Sequence, residues 1–463
     1  MKSRIIIYTA ALMLWILQAG KADAQSLSDN GIFYHSFSSP WAYSLNPALF
    51  PKGVSSYTTL PRTNINVSLP FSYSDLGIQY DNERQVAVMN LTDFLNKMYE
   101  RKFRTSANVD MNVLGVGYSL GERLKLGVDA GIRTSSITTL PIEVTRLLTE
   151  GNLNANRRLE LGTTMLSHTI AYAYASVGLT YVHPDIPLSL GARFNLLDGI
   201  QIASIDKIAL DVLTSADTSS MMIEMDYMAR LGGIMNVQLD DLNKTELKFS
   251  FPRNFGFTFD LGASFSLFDM VDVSASILDV GPGMRWSQNI QVLVPKEGKV
   301  VIPYDGFDIE RIRDTAYIRN KVDSLLDKIN YRIDEEEFWY APPTKAYVGA
   351  SFTAFNMLRI GYLFHGEWSN GWFRPNGAEG IFRCNNTISL HANLFGWFEA
   401  GVANSISYDG EKANFLNPGI LLSFNPGKSV QLYVAVDYVS SIYAVDMRSA
   451  HVYLGMNILH FND

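Results

Sequence analysis

A histidine, a carboxylate and a serine lie within five residues in the stretch His365-Gly366-Glu367-Trp368-Ser369. A histidine that takes the proton of a serine hydroxyl turns that oxygen into a nucleophile, as outer-membrane hydrolases require. Nearness in sequence does not by itself build such a triad, because the three groups must also meet in space. We therefore predict a hydrogen-bonded cluster at a strand end, and we expect that the protein is not an enzyme.

Carboxylates are most concentrated in the run Asp334-Glu335-Glu336-Glu337. Calcium takes oxygen ligands of this kind, but the run lacks the alternating Asp-x-Asp-x-Asp-Gly spacing that wraps a loop around one ion. The seven histidines form no His-x-His or His-Glu-x-x-His pattern. We therefore expect a solvated acidic loop, and neither a metal site nor a cofactor.

The single cysteine, Cys384, excludes an intramolecular disulfide framework and a cysteine-based zinc site. The chain is acidic, with a formal net charge of −8. Nucleic-acid binding requires a basic surface, so no nucleic-acid partner is expected.

The first residues have the pattern of a secretory signal peptide. Lys2 and Arg4 precede an apolar run from Ile5 to Leu17, and Ala22-Asp23-Ala24 is a small-x-small cleavage site. The apolar run is shorter than the roughly 20 residues that a spanning helix needs. We predict cleavage between Ala24 and Gln25, with residues 1–24 removed.

The elements that must carry any site are predicted to be β-strands, because apolar and polar residues alternate over long stretches. Each of these stretches has about 10 to 13 residues, whereas a tilted strand crosses a bilayer with about 9 to 11. Alternation of this length predicts an all-β, antiparallel, up-and-down transmembrane barrel. The clearest stretches are Thr63–Ser74, Leu124–Thr134, Asn254–Ser266, Leu358–His365 and Val430–Tyr438.

Turn residues join many of these stretches into hairpins, as at Gly121-Glu122, His183-Pro184-Asp185 and Asn425-Pro426-Gly427. The chain offers about 14 to 16 candidate strands, within the range of bacterial barrels, and we prefer about 14. The stretch Ile200–Tyr227 forms either two spanning strands or a long hairpin that rises above the membrane.

Aromatic residues near the predicted strand ends favour girdles at the two membrane interfaces. The last stretch, Ala450–Phe461, is predicted to be a closing strand with an aromatic near its end. The residues assigned to the girdles are Phe71, Tyr73, Tyr118, Tyr172, Tyr174, Tyr181, Tyr362, Trp397, Tyr433 and Tyr438.

Three segments break the alternation. Leu91–Lys102 and Pro141–Glu150 have the spacing of short amphipathic helices, and Asp308–Trp339 is a longer helical pattern rich in both charge signs. We assign an insertion to residues 305–342, on a side of the membrane that the sequence leaves open. Three alternative roles are open for this insertion: a lid, a partner-docking arm or a solvated loop.

Residues 25–61 do not alternate and are rich in proline and aromatic residues, which suits an irregular segment inside a barrel. Within this segment, Asn46-Pro47-Ala48 resembles the hatch motif of the FadL-like outer-membrane superfamily. The stretch Leu278–Trp286 and the charged insertion before Pro342-Pro343 resemble an uncharacterised Bacteroidota group of such barrels, akin to the PorV and PorP/SprF types. The resemblance implies an N-terminal plug over residues 25–61 and a barrel over residues 62–463.

The resemblance implies two alternative functions for a protein of the outer membrane. One is passage or binding of a small hydrophobic ligand, opened by movement of Asn46, Pro47 and Ala48. The other is a non-transporting scaffold or shuttle for type IX secretion of surface proteins, with secretion-system proteins as partners. Outer-membrane lipids are expected partners in either case.

A third alternative is an open, sugar-specific porin. Residues assigned to the lumen are mainly small and polar, with the charged residues Lys125, Asp129, Arg133, Arg193, Asp260 and Arg359. Polar lumens occur in open and plugged barrels alike. The N-terminal segment favours the plugged form.

Overall fold

A closed antiparallel barrel of 14 strands holds an N-terminal segment in its lumen, as seen in a computed structural model. The structure describes residues 31–37, 39–81, 86–88, 93–94, 97, 104–139, 158–161, 167–214, 221–237, 245–247, 254–268, 270–296, 300–304, 320, 331–368, 382–409, 412–414, 417–437 and 448–461. The predicted all-β barrel of about 14 strands is confirmed.

The described strands, in chain order, are β1 (Val54–Thr59), β2 (Arg62–Ser68), β3 (Gln79–Asp81), β4 (Val86–Val88), β5 (Arg104–Leu120), β6 (Leu124–Thr139), β7 (Arg158–Leu161), β8 (Ser167–Val182), β9 (Leu188–Thr214), β10 (Met221–Gly233), β11 (Met235–Val237), β12 (Thr245–Leu247), β13 (Phe255–Leu267), β14 (Val271–Trp286), β15 (Gln291–Pro295), β16 (Val300–Tyr304), β17 (Tyr331–Asp334), β18 (Phe338–Tyr340), β19 (Thr344–Ala354), β20 (Leu358–Trp368), β21 (Phe382–Leu394), β22 (Phe398–Asp409), β23 (Lys412–Asn414), β24 (Pro418–Phe424), β25 (Val430–Asp437) and β26 (Ser449–Phe461). One α-helix, α1 (Trp41–Leu45), and the 3₁₀ turns Ser74–Leu76 and Pro426–Lys428 complete the described elements.

The barrel wall begins with β1 and β2, which together make one strand, and it closes where β26 pairs with both of them. Because every wall strand pairs with a neighbour on both sides, the wall has no unpaired edge. A sheet in lipid must be closed in this way. Between these ends the wall strands follow in the order β5, β6, β8, β9, β13, β14, β19, β20, β21, β22, β24 and β25.

Strand β13 shows the alternation that the sequence predicted. Phe257 and Phe259 are exposed on the outer surface, whereas Thr258 and Asp260 are buried in the lumen. Outward apolar and inward polar residues are what a strand between lipid and a filled lumen needs. The outer surface of the wall is therefore the lipid-facing surface of an outer-membrane protein.

All the short turns of the wall lie at one end of the barrel. They follow β5, β8, β13, β19, β21 and β24, and the start of β1 pairs with Phe461 at the same end. The chain segments at the other end are longer, such as 69–103 and 287–337. Bacterial barrels have short periplasmic turns and long external loops, which assigns the short-turn end to the periplasm.

Strand β9 is long because it has two sets of neighbours. Its first half pairs with β13 as far as Asp198, and its second half pairs with β10 from Gln201 onwards. β10 in turn pairs with β15 and β16 and not with the wall strand β13. Within the stretch Ile200–Tyr227, the described residues 201–214 and 221–227 therefore pair with each other as parts of β9 and β10, which agrees with the long hairpin, one of the two predicted alternatives.

Several predicted boundaries differ from the structure. The stretch Thr63–Ser74 is a strand only as far as Ser68, and a 3₁₀ turn follows at Ser74–Leu76. Within the segment predicted as a helical insertion, residues 331–334 are in β17 and Phe338 and Trp339 are in β18, because these residues pair with β15 and β14. The prediction at Pro141–Glu150, most of that at Leu91–Lys102 and nearly all of residues 305–330 lie outside the described residues.

The N-terminal segment fills the periplasmic half of the lumen. Ile32, Phe33 and the helix residue Trp41 are buried against wall residues such as Tyr433 and Tyr453. The rings of Phe33 and Trp41 stack at 5.2 Å, and the Arg62 guanidinium lies 4.4 Å from the Trp41 ring centroid. Residues 31–53 are called the plug below. The predicted plug segment extended to residue 61, but Val54–Thr59 is the wall strand β1.

Among the described residues, no helix is long and apolar enough to cross a membrane. The predicted signal peptide and its cleavage site at Ala24 and Gln25 lie outside the described residues.

Candidate functional site

The predicted hatch residue Asn46 joins the plug to two wall strands. Its Nδ2 group donates hydrogen bonds to the carbonyl oxygens of Ala275 (3.2 Å) and Ala263 (3.4 Å) and to the Tyr34 hydroxyl (3.0 Å). Its Oδ1 atom accepts a hydrogen bond of 2.9 Å from the backbone N–H of Ala48. One buried amide thus fixes both the turn at Pro47 and the position of that turn against β13 and β14.

The wall is shaped to receive this turn, because it has glycines where the plug comes closest. A Cβ atom on Gly191 would lie 2.1 Å from the Pro47 carbonyl carbon, and one on Gly262 would lie 2.0 Å from Asn46 Oδ1. Neither distance is compatible with any side chain, so glycine alone permits this approach. Sequence analysis missed these two glycines, because a glycine in a strand does not show what lies opposite it.

Carbonyl oxygens of the plug around this turn are also bound by the wall. Thr180 donates a hydrogen bond of 2.6 Å to the Pro47 oxygen, and Ser276 donates one of 2.7 Å to the Leu45 oxygen. Arg193 donates to the oxygens of Tyr43 and Ser44, the latter at 3.1 Å. These carbonyl groups would otherwise be buried without partners, which is costly.

A second set of contacts holds plug residues 35–37. Glu399 on β22 accepts hydrogen bonds from the Ser36 hydroxyl (2.9 Å) and from the backbone N–H of Phe37 (3.2 Å). Arg359 on β20 donates to the carbonyl oxygens of His35 (3.0 Å) and Ser36 (3.1 Å). Burial lowers the pKa of the His35 imidazole to about 3, so that the docked plug holds this ring neutral.

Charged groups form a layer in the lumen between the plug and the external end. Arg193 lies 3.3 Å from Asp260, and both side chains are buried. Arg133 lies 3.1 Å from Asp110 and 3.5 Å from Asp279. Asp129, Arg133, Arg193 and Asp260 thus face the lumen as predicted; the two arginines are paired with aspartates, and Asp129 accepts a hydrogen bond of 3.2 Å from Asn112.

Apolar and aromatic side chains fill the lumen beside this layer and on its external side; the Tyr174 ring lies 4.5 Å from the Arg133 guanidinium, within the layer. They come from β8, β9, β14, β15 and β18 and from Ile290, which precedes β15, and the Trp286 ring stacks on that of Phe338 at 6.4 Å. We call this set the upper cluster; its buried members are Ile170, Tyr172, Tyr174, Leu197, Ile202, Met284, Trp286, Ile290, Val292 and Phe338. A water-filled channel has a polar lining, so the upper cluster is not the wall of such a channel.

The girdle prediction is wrong for three tyrosines. Tyr172, Tyr174 and Tyr433 are buried inside the barrel, because they share the parity of inward residues such as Ile170 and Gln431. Tyr118, Tyr181 and Trp397 are exposed on the outer surface near the periplasmic end, as a girdle requires. Tyr438 lies outside the described residues.

The residues that suggested hydrolysis face other partners. His365 stacks on the Tyr347 ring at 4.3 Å inside the lumen, and Glu367 forms a buried ion pair with Arg383. A second pattern, Gly117-Tyr118-Ser119-Leu120-Gly121, matches Gly-x-Ser-x-Gly. It lies at a strand–turn–strand corner and not at the strand-to-helix turn of a nucleophile elbow.

The acidic run and the single cysteine take no part in the lumen contacts described above. Glu335, Glu336 and Glu337 are exposed, Arg285 is paired with Glu337, and Arg332 lies 3.0 Å from Asp334. Cys384 is buried on β21. Among the described residues, no group of three or more histidine, cysteine, aspartate or glutamate side chains is placed to hold a metal ion.

Several solved structures are similar to this chain. The Pseudomonas putida toluene transporter TodX is 10% identical, with a TM-score of 0.41 and coverage of 95% of this chain and 99% of that one. A Pseudomonas aeruginosa FadL homologue is 10% identical, with a TM-score of 0.44 and coverage of 95% and 100%. A mutant Rh. blastica porin is 9% identical, with a TM-score of 0.27 and coverage of 87% and 99%.

No curated protein matches the sequence. A family model matches residues 47–437, which run from the plug turn at Pro47 to the end of β25. The protein therefore belongs to the family of unknown function DUF5723.

Proposed function

We propose that this outer-membrane barrel binds a small hydrophobic molecule in the upper cluster and passes it towards the periplasm. The observation that carries the proposal is the apolar and aromatic packing that fills the lumen at its external end and would separate to admit the ligand. Inward positions of a barrel are ordinarily polar, because they meet water. An apolar and aromatic lining with few polar groups suits a hydrophobic ligand.

The charged layer next to the upper cluster favours a neutral ligand over an anionic one. The arginines of that layer are already paired with aspartates, as in Arg193 with Asp260 and Arg133 with Asp110. An anionic ligand would have to compete for these arginines and break buried ion pairs, which is costly. A neutral hydrophobic molecule avoids that cost.

Passage requires the plug to move, because residues 31–53 occupy the periplasmic half of the lumen. Movement of Asn46, Pro47 and Ala48 would break the hydrogen bonds of Asn46, Thr180 and Ser276, and would open the wall glycines to the lumen. Each such hydrogen bond contributes about 0.5–1.5 kcal/mol net, so the set holds the plug without making it immovable.

A reversible covalent lock tests this function. A Cβ atom built on Gly31 lies 3.2 Å from the Thr387 Cβ atom, which is close to the roughly 3.5–4.5 Å of a disulfide. The double variant Gly31→Cys with Thr387→Cys, in a Cys384→Ser background, would fix the plug at its start. The plug's other end is already continuous with β1.

The measurement is entry of N-phenylnaphthylamine, a neutral aromatic fluorophore, into cells that carry the variant in the outer membrane. Oxidation should slow entry to the rate of cells without the protein, and reduction should restore it. The single variant Thr387→Cys in the same background is the control for oxidant effects. Equal entry in the oxidised and reduced forms would reject plug movement as the route.

Export to the outer membrane rests, in this proposal, on cleavage of the signal peptide between Ala24 and Gln25, which N-terminal sequencing of the mature protein tests. The scaffold alternative, in which the chain assists type IX secretion in a Bacteroidota host, makes a different prediction. Deletion of residues 308–330 would remove co-purifying surface proteins and leave hydrophobe entry intact. We favour the transport function because the upper cluster supports it.

A further inference from the structure

Three adjacent short turns of the wall present a phenylalanine at their tips. Phe268 joins β13 to β14, Phe355 joins β19 to β20 and Phe395 joins β21 to β22, and these side chains are 85%, 91% and 81% exposed. Each residue has a positive φ angle, of 54°, 52° and 57° respectively. Backbone hydrogen bonds of 3.1, 3.1 and 3.4 Å close the three turns.

A phenylalanine is an unfavourable residue for this position. The first central residue of such a hairpin turn has φ > 0 and is ordinarily Asn, Asp or Gly. A bulky side chain is strained at a positive φ angle, and exposure of its ring to water adds to that cost. The same costly choice recurs in three turns of one chain, which indicates that surroundings outside the protein compensate for it.

The three turns occupy only part of the periplasmic rim. The hairpins β13–β14, β19–β20 and β21–β22 are consecutive around the barrel. The other short turns of the rim are polar or proline-rich, namely Gly121-Glu122-Arg123, residues 183–187 and residues 425–429. The phenylalanines therefore form a one-sided arc, which we call the phenylalanine arc.

The phenylalanine arc is continuous with the lipid-facing surface of the wall. Met270, Met357 and Trp397 follow the phenylalanines by two residues and are 47%, 48% and 42% exposed on the outer surface. The Phe395 and Trp397 rings stack at 6.1 Å. On the opposite side of the barrel, the outward-facing Leu120 is followed by the turn Gly121-Glu122-Arg123. Because this turn carries two charged residues, the apolar surface ends before the tip of the β5–β6 hairpin.

We propose that the phenylalanine arc inserts into the inner leaflet of the outer membrane, so that the barrel lies deeper in lipid on this side than on the side of Glu122. The partner is lipid at the boundary between headgroups and acyl chains, where aromatic side chains are favoured. Burial of the rings there offsets the cost of the positive φ angles. The inference concerns the outer surface and does not depend on the proposed transport function.

Fluorescence in vesicles of phosphatidylethanolamine and phosphatidylglycerol tests this proposal. In the Cys384→Ser background, Asn356→Cys places an environment-sensitive label beside Phe355, and Glu122→Cys places the same label on a polar turn. Lipids with a spin-labelled acyl chain should quench the label at 356 at least twofold more than the label at 122. Aqueous iodide should show the opposite order.

A second variant separates the role of the ring from the position of the label. Adding Phe355→Ser to the Asn356→Cys protein should reduce lipid quenching towards the value at 122, and a folded barrel is checked by its heat-dependent migration in gels. Equal lipid quenching at 356 and 122 in the folded protein would overturn the proposal. So would strong iodide quenching at 356, which would instead assign the phenylalanine arc to a periplasmic protein partner.

Discussion

Thr180 on β8 donates a hydrogen bond of 2.6 Å to the carbonyl oxygen of Pro47, which joins the barrel wall to the tightest turn of the plug. Both residues are buried, where a polar group without a partner is costly. The bond therefore belongs to the set of contacts that hold the lumen closed.

Replacing Thr180 with valine should loosen the plug. The change keeps the shape of the side chain but leaves the Pro47 oxygen without this donor, at a cost of about 1–3 kcal/mol for a buried polar group. We expect faster hydrogen exchange of the peptide that covers residues 42–50, and faster entry of N-phenylnaphthylamine. Thr169→Val is the matched control on the same strand, because Thr169 is hydrogen-bonded to Ser136 of the wall at 2.9 Å and not to the plug.

Replacing Gly191 with alanine should displace the plug turn altogether. The added methyl group would lie 2.1 Å from the Pro47 carbonyl carbon, and backbone on both sides cannot yield as a flexible side chain can. Gly232→Ala is the control, because its Cβ would lie at least 3.2 Å from its neighbours, all of which are side-chain atoms. Exposure of the plug to added protease should rise in the first variant only; equal protection would mean that the turn does not need this close approach.

The buried pair of Arg383 and Glu367 gives a test of stability. Glu367→Gln alone leaves a buried guanidinium without its counter-charge, and breaking a buried pair in this way costs about 3–5 kcal/mol. The free energy of unfolding, measured with urea as denaturant in lipid vesicles, should fall by about 3–5 kcal/mol. In the double variant Glu367→Gln with Arg383→Gln most of the loss should be recovered, since no uncompensated charge remains; a double variant as unstable as the single one would argue against this cause.

Docking of the plug should weaken at acidic pH because of His35. Burial lowers the pKa of this imidazole to about 3 in the docked plug, whereas an exposed histidine has a pKa near 6.5. Below that pH the released plug binds a proton that the docked plug does not, so docking loses stability as the pH falls. At pH 5 the loss is about 2 kcal/mol for a fully exposed released state.

Hydrogen exchange of residues 32–37, corrected for the intrinsic effect of pH, should therefore rise between pH 7 and pH 5. Asn at position 35 does not titrate, so the variant His35→Asn should show the same exchange at both pH values. A variant that keeps the rise would assign it to another titratable group near the plug.

The wall could be predicted from sequence because its physical cause is local. In β13, every second residue meets lipid, so Phe257 and Phe259 alternate with Thr258 and Asp260 in a way that any reader of the sequence can see. The prediction for Tyr172 and Tyr174 was wrong because it gave residue type more weight than the alternation of inward and outward positions. An aromatic residue near a strand end suits a girdle, but these two side chains point into the lumen.

The contacts between plug and wall could not be predicted because they join residues far apart in the chain. Asn46 meets the carbonyl oxygen of Ala275 across 229 positions, and the receiving surface is made by glycines that carry no side-chain signal. The motif Asn46-Pro47-Ala48 pointed to the right segment, yet only the fold shows which strands hold it. The upper cluster was likewise hidden, because its members come from five strands and the segment before β15.

The most direct test of the central claim is diffraction from crystals grown with 4-bromotoluene, with data collected at the bromine absorption edge. We predict an anomalous peak inside the lumen beside Trp286 and Phe338, on the external side of the Arg133 layer. Peaks found only on the lipid-facing surface, with none in the lumen, would contradict binding of a neutral hydrophobic molecule in the upper cluster.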